Sequence, residues 1–405
     1  MKIIHTADWH IGKRLHGIDL SEDHQLFFRF LIELLQKEKP DILLVAGDIF
    51  DLANPSAESR RLYYQTLIKL KETQCSIILT GGNHDSPTML NAPKELLQAL
   101  DIHVSGGLES SVEHYVIPYP HNQNPQLLIA AIPFLRDTEL RKQVKGETHE
   151  DREAAVREGI KRIFTAAADY CQTQFPGVPA IAAGHLFAHG VSTSDSERDI
   201  QVGNLAGFEA GSFPTYFQYI ALGHIHKPQK AGADHILYSG SPIALSFSEK
   251  EDKKRMLKVE ITQNTKPAVE SIPVPQFRKL SKLKGSLEVL REKLHKAVQE
   301  KTQLPQLIEI ELHEPYYDAG TVVDFEDLVN TFQSEHAVIA KHRITFDESP
   351  AGEHRFYTNQ NRIEELQPAD VFDELINVQG KEADKKLLTE TFQDLLTQHS
   401  QNYSK

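Results

Sequence analysis

The sequence predicts an α/β fold, with strands at the centre and helices on the outside. Three observations lead there. Over the first 100 residues, short apolar runs alternate with stretches of helical period. Runs such as Asp41–Ala46 (DILLVA) and Ser76–Thr80 (SIILT) are almost continuously apolar, as strands covered on both faces are. Glycine, aspartate and histidine gather just after these runs, where the chain must turn.

Taken in order, Ile3–Thr6 is a first short strand. Ser21 can cap a helix over Glu22–Lys37, with Glu22 and Asp23 at its positive end. Leu26, Phe27, Phe30, Leu31, Leu34 and Leu35 recur at three- and four-residue spacing and give that helix one buried face, and Pro40 stops it. Ser56 opens a second helix to about Lys71, and a third is expected near Ala92–Leu100. Val112–Ile117 and Leu127–Ile132 read as strands, followed by a long helix from about Thr148 to Tyr170. Pro179–Ala183, Tyr219–Leu222, Ile236–Ser239 and Arg255–Ile261 are further strands, and Ala188–Phe213 is mostly loop.

Composition changes after Ile272. The stretch PVPQFRKLSKLKGS reads as a polar, basic linker. Gln276–Glu300 holds seven Lys/Arg against three acids, whereas the chain past residue 345 holds twelve acids against six. Leu304–Leu312, a helix over Phe325–Gln333 and Ala337–Thr345 form a small strand-helix-strand unit. The expected organisation is a catalytic domain over 1–272, a capping domain over 273–348, a linker over 349–365 and a helix pair over 366–405. A length of 405 residues allows two or three domains.

With 40% apolar and 25% charged residues, the chain is globular, and no run approaches 18 apolar residues, so no membrane helix is expected. His5, Asp8 and His10 occupy the place of a signal peptide's apolar core, and two cysteines, Cys75 and Cys171, make no disulfide framework, so a cytoplasmic setting is expected. The net charge of −13 argues against a free-standing nucleic-acid binder unless a local patch, a bound metal or a basic partner supplies the field.

Five motifs carry chemistry: Asp8-Trp9-His10, Gly47-Asp48-Ile49-Phe50-Asp51, Gly82-Asn83-His84-Asp85, Gly184-His185 and Gly223-His224-Ile225-His226. Each follows a strand-like run, and loops outside the carboxyl ends of strands gather into one site. Asp8, His10, Asp48, Asn83, His185, His224 and His226 are seven candidate ligands without a thiolate, a set suited to Mn²⁺, Fe²⁺ or Zn²⁺ more than Mg²⁺. One metal rarely uses seven ligands. Two metals about 3.5–4 Å apart and sharing Asp48 would, and such a pair clamps the oxygens of an in-line phosphoryl displacement by a bridging hydroxide. Trp9 is expected to pack beneath the site, and His5 to be a hydrogen-bonded core residue.

These motifs resemble the calcineurin-like metallophosphoesterase superfamily. MKIIHTADWHIGK, VAGDIFD, LTGGNHDSP, IPFLR, YIALGHIHKPQ and YSGSPIALSF are similar to its branch of bacterial nuclease subunits, relatives of the eukaryotic and archaeal recombination-repair nucleases. The similarity runs to about residue 262 and continues more loosely in layout to the C-terminus. It implies a sandwich of two central sheets flanked by helices, with a small α+β capping domain and a C-terminal helix pair. It implies two Mn²⁺ ions, one held by Asp8, His10, Asp48 and His226 and the other by Asp48, Asn83, His185 and His224, with Mg²⁺, Fe²⁺ or Zn²⁺ as substitutes. His84 would face the scissile phosphate, and Asp51 stands where phosphatase relatives carry an acid that orients this histidine, a position often taken by histidine in the archaeal nucleases.

The resemblance further implies a DNA exo- and endonuclease acting on double- and single-stranded DNA in recombination, replication and repair near the nucleoid. It implies a homodimer through helices around Leu62–Leu70 and Leu90–Leu100, and a partner ATPase of the SMC-like coiled-coil type. Candidate DNA contacts are Arg198, Lys279, Lys282 and Lys284. Leu387, Leu388, Phe392, Leu395 and Leu396 form a stripe on the last helix that suits the partner. A small-molecule phosphodiesterase or nucleotidase would use the same core but would leave the chain beyond about residue 270 without a role. A protein phosphatase would carry Asp-Arg-Gly after the second motif, where this chain has Asp51-Leu52-Ala53.

Overall fold

The structure is a computed structural model and describes residues 1–121, 123–140, 148–197, 207–263, 265–300 and 302–347, together with Phe372, Leu388, Thr389, Thr391 and Phe392. By their internal contacts the described residues divide into a unit of Met1–Lys13 with Leu20–Pro275, and a second of Arg14–Asp19 with the described residues from Gln276 on.

The first unit holds two six-stranded sheets. One runs Ala268–Pro273, Arg255–Glu260, Lys2–Thr6, Ile42–Ala46, Ser76–Thr80, Ile102–Ser105. The other runs Gln229–Lys230, Ile236–Tyr238, Phe217–Gly223, Ala180–His185, Leu127–Ala131, Val116–Tyr119. The strands that end at the site are parallel within their sheets: Lys2–Thr6 beside Ile42–Ala46, which lies beside Ser76–Thr80, and Phe217–Gly223 beside Ala180–His185. Strand alternation sorts the side chains. Ile129, Ala131, Ile181, Ala183, Tyr219 and Ala221 join Ile3, Ile42, Leu44 and Ile78 in one core. Their neighbours Leu128, Ala130, Ala180, Ala182, Ile220 and Leu222 join Phe164, Ala167 and Cys171 of the helix His149–Gln174 in another. Burial on both faces is why these strands read as unbroken apolar runs.

Several local expectations are corrected. Ser21 is the first residue of the helix Ser21–Glu38 rather than its cap; Leu20 holds the cap position, and its carbonyl receives His24 Nδ1 at 2.8 Å. Phe28 rather than Phe30 is buried on that helix, packed 5.0 Å from Trp9 between ring centroids. Two short helices lie here, Pro87–Asn91, which was not expected, and Lys94–Gln98, to which the helix expected over Ala92–Leu100 is reduced. Ser86 and the proline after it start the first, and Pro93 precedes the second without a side-chain cap. Val112–Tyr115 is a 3₁₀ turn, with strand only from Val116; Val112 and Tyr115 are three apart, which brings both to one side of such a turn. Ser56 caps Ala57–Lys71, and Thr148 opens His149–Gln174 with a capping box to Asp151.

The second unit contains three parallel strands in the order Leu280–Gly285, Gln306–Glu314, Ala337–Phe346, with helices Leu287–Ala297 and Ala319–Thr331. Leu290, Leu294, Ile308, Ile310, Leu312, Phe325 and Ile344 make its core. The segment read as linker is therefore partly a strand. Its lysines pair across the sheet: Lys282 with Glu309 at 3.1 Å and Lys284 with Glu311 at 2.7 Å, in register, and Glu309 and Glu311 are also shared with Lys341 and Arg343. Lys279 pairs with Glu300. In the tail, the Phe372 and Phe392 rings stack with centroids 3.8 Å apart, and Leu388 is exposed. Arg198, Leu387, Leu395 and Leu396 lie outside the described residues. Among the described residues no helix is long and apolar enough to cross a membrane.

Candidate metal centre

Five loops leave the carboxyl ends of the two sheets and converge. The first two are laced together by their backbones, Asp8 N to Gly47 O at 3.1 Å and His10 N to Asp48 O at 3.0 Å. Asp8, His10, Asp48 and His224 all have positive φ, at 53°, 47°, 47° and 99°. Non-glycine residues enter this region at a cost, and strain of this kind concentrates where a side chain must be aimed. Glycine makes the close approach possible. A Cβ on Gly82 would lie 2.1 Å from Asp48 Oδ1, and one on Gly47 would lie 2.1 Å from His185 Nδ1.

All seven ligand candidates meet there. Asp48 Oδ2 lies 3.4 Å from His10 Nε2 and 3.3 Å from His185 Nε2, placing this carboxylate between two histidines. Asn83 Oδ1 lies 2.9 Å from His185 Nε2 and 3.0 Å from His224 Nδ1. His10 Nε2 and His226 Nε2 face each other at 3.1 Å. Asp8 Oδ1 accepts from His224 N at 2.8 Å, while its Oδ2 is buried without a hydrogen-bond partner. An orphaned carboxylate oxygen is costly in a dry interior unless a cation sits beside it, and the two facing ring nitrogens lie close enough to share that cation. Asp8, His10 and His226 form one group whose ligand atoms lie within 4.8 Å of one another, and Asp48, His185 and His224 form another. The donor set therefore fits divalent metal. His84 also falls within this reach of His10 and Asp48.

The electrostatics suit the same reading. Burial lowers the His10 imidazole to about 3 and pushes His224 well below its ordinary value, which keeps both neutral. Burial raises Asp8 to about 7. Burial disfavours charge on His185 as well, but the carboxylates of Asp48 and Asp8 outweigh it and carry the imidazole to about 9. Asp48, despite burial, is held well below the carboxylate range by His185, His84 and His10.

The residues around the ligands set their orientation. His185 Nδ1 meets Ala46 O at 3.0 Å, turning Nε2 inward. Asp51 departs from expectation. Its carboxylate meets His10 Nδ1 at 3.1 Å and Lys13 Nζ at 3.2 Å, so it orients a ligand candidate. It is the Asp51 carbonyl, not the carboxylate, that receives His84 Nδ1, at 2.8 Å. His84 N donates to Asp48 Oδ1 at 2.9 Å.

Sequence reasoning gave Asp85 no role, yet its buried carboxylate accepts from Ile49 N at 3.0 Å, Phe50 N at 2.9 Å and Gly82 N at 2.8 Å. It therefore ties the second loop to the third. Its place in the Gly-Asn-His-Asp motif was the available signal. Glu249, behind His226, was also missed, and no motif spacing marks it. Trp9 is buried against Phe27 and Phe28, and His5 is buried with Nδ1 2.8 Å from the Tyr219 hydroxyl.

Residues 1–228 match the family described as calcineurin-like phosphoesterase. The SbcD subunit of the SbcCD nuclease of Escherichia coli strain K12 is 29% identical over 376 residues, spanning 90% of this chain and 91% of that one. Its counterpart in Rhodobacter capsulatus is 36% identical over 258 residues, 62% of this chain and 64% of that one. Its counterpart in Staphylococcus epidermidis is 30% identical over 296 residues, 73% of this chain and 75% of that one.

Proposed function

The chain belongs to the calcineurin-like phosphoesterase family, in the branch of SbcD nuclease subunits, and from that membership we propose that it is the Mn²⁺-dependent DNA nuclease subunit of a two-component complex. As a family member it is a metal-dependent hydrolase of phosphodiester bonds. The observation that carries the finer reading is Asp48 Oδ2, set 3.4 Å from His10 and 3.3 Å from His185 between the two ligand groups. In this reading Asp8, His10, Asp48 and His226 hold one Mn²⁺, and Asp48, Asn83, His185 and His224 hold the other. Bound metal supplies Lewis acidity at phosphorus and an acidified water. The chain's own residues do the rest. Asp51 and Ala46 fix the ring orientation of His10 and His185. His84, held at Nδ1 by the Asp51 carbonyl, offers Nε2 to charge on the phosphate or to the leaving oxygen.

In this reading the acidic tail docks the SMC-like ATPase partner, and that partner brings most of the basic DNA-facing surface that a chain at −13 lacks. Lys279 is paired with Glu300, whereas Glu309 is shared by Lys282 and Lys341 and Glu311 by Lys284 and Arg343, so a positive charge remains at each of these two pairs and Lys282 and Lys284 stay DNA candidates. A homodimer is supported by apolar exposure on the expected helices: Ile68 is 60% and Leu96 69% exposed. The test is cleavage of a labelled DNA duplex and single strand with Mn²⁺, with and without the ATPase subunit, beside a mononucleotide. DNA cleavage that the ATPase stimulates, without mononucleotide turnover, is expected; turnover of the mononucleotide alone would favour the small-molecule enzyme.

A further inference from the structure

Behind His226 lies a buried polar cluster. The chain that follows the strand Ile236–Tyr238 carries Ser241, Glu249 and Lys254 beneath the site. Glu249 is 1% exposed. Its Oε1 lies 3.3 Å from His226 Nδ1. Its Oε2 accepts from Lys254 Nζ at 2.6 Å, Leu245 N at 3.1 Å and Ser241 Oγ at 3.3 Å. Lys254, also buried, donates to the His226 carbonyl at 3.1 Å and to Ser241 Oγ at 2.9 Å. A carboxylate removed from water is tolerated only when paired and hydrogen-bonded, and Lys254 provides the pairing.

This cluster has a direction. His226 turns Nδ1 to Glu249 and therefore Nε2 into the site, 3.1 Å from His10 Nε2. A proton held on Nδ1 by the carboxylate leaves the Nε2 lone pair free. His10 has Asp51 and His185 has the Ala46 carbonyl in the equivalent place, so Glu249 completes the set of partners for these three rings.

The same carboxylate reaches a loop. Ser194 Oγ donates to Glu249 Oε1 at 3.2 Å, and Asp195 N donates to Ser248 Oγ at 2.9 Å. Ser192 exchanges two hydrogen bonds with Gln229, at 2.9 and 2.7 Å. At the end of this stretch Glu197 accepts from the His226 backbone N–H. Residues 192–197 are thus fastened at the side chain that holds the His226 ring and at the His226 backbone.

We propose that Glu249 is the positioning residue of His226, and that through Ser194 it couples metal occupancy at His226 to the placement of residues 192–197. This rests on the reading of Asp8, His10, Asp48 and His226 as the ligands of one metal. A cation on Nε2 keeps the ring proton on Nδ1 and strengthens its hydrogen bond to the carboxylate, which then stands fixed for Ser194. The site and the loop respond together because Glu249 Oε1 serves both.

The test titrates Mn²⁺ into the full chain by calorimetry and follows amide hydrogen exchange of 192–197 with and without Mn²⁺. In Glu249→Gln one of two Mn²⁺ affinities is expected to fall about 10- to 100-fold while the other stays within about twofold. In the unmodified chain, Mn²⁺ is expected to slow exchange over 192–197, and in Ser194→Ala that slowing is lost while both affinities are kept. Glu249→Gln with both affinities unchanged, or with both lowered equally alongside a lower melting temperature, would overturn the positioning role. If the Gln variant does not fold, exchange over 192–197 that ignores Mn²⁺ in the unmodified chain overturns the proposal. An unmodified chain that binds no Mn²⁺ refutes the metal reading beneath it instead.

Discussion

Asp48 has two neighbours that want the same oxygen, His10 and His185, and its other oxygen already accepts from the His84 backbone. Asp48→Asn should therefore weaken both metals and cost more activity than Asn83→Asp, which keeps an oxygen beside His185 and His224; its loss should exceed the roughly 10- to 100-fold typical of changes to the residues behind the ligands. His84→Gln should leave two metals bound and lower turnover roughly 10²- to 10⁴-fold, the usual worth of a placed proton donor. Metal lost from that variant would make His84 a ligand, as its reach to His10 and Asp48 permits. The ligand candidates were legible because aspartate, asparagine and histidine in turns after buried strands have few other uses. Asp85 and Glu249 were not, because they act on backbone N–H groups and on the far side of a ring, and sequence spacing records neither.

At the scale of elements, the loops are as constrained as their side chains. Gly82 leaves no room for a methyl group between itself and Asp48, so Gly82→Ala should cost about 1–3 kcal/mol of stability and weaken metal binding together, read by urea unfolding and Mn²⁺ titration. The strands of the first unit could be read from their apolar runs. The strand Leu280–Gly285 could not, because its alternating lysines look like a solvated linker until Glu309 and Glu311 are set beside them. The short helix Pro87–Asn91 was not legible either, because five residues with Leu90 alone buried carry no helical period. The tail is an element whose partner is proposed to be the ATPase. Deleting residues 366–405 should abolish co-purification with that subunit and leave Mn²⁺-dependent cleavage of single-stranded DNA largely intact; full binding by the truncated chain would contradict the docking role.

For the whole molecule, stability and chemistry share buried histidines. Burial lowers His5 to about 3, well under its ordinary value, and Tyr219 is its hydrogen-bond partner. Below about pH 6.5 the unfolded chain takes up a proton that the folded chain refuses until about pH 3. This contribution to stability is present above 6.5 and is lost as pH falls from there, by up to about 1.4 kcal/mol per pH unit. Metal-free protein should show a falling urea midpoint between pH 7 and 5, and His5→Asn should make that fall shallower; an unchanged slope would contradict the sign. The proposed chemistry stands on a pair of metals, bridged by Asp48, that hydrolyses a phosphodiester. Its most direct measurement strips the protein with chelator, restores Mn²⁺ stepwise, and records bound ions per chain against cleavage of labelled DNA in the same samples. Two ions are expected at saturation, with cleavage rising only as the second site fills, and full activity with a single ion bound would refute the paired-metal mechanism.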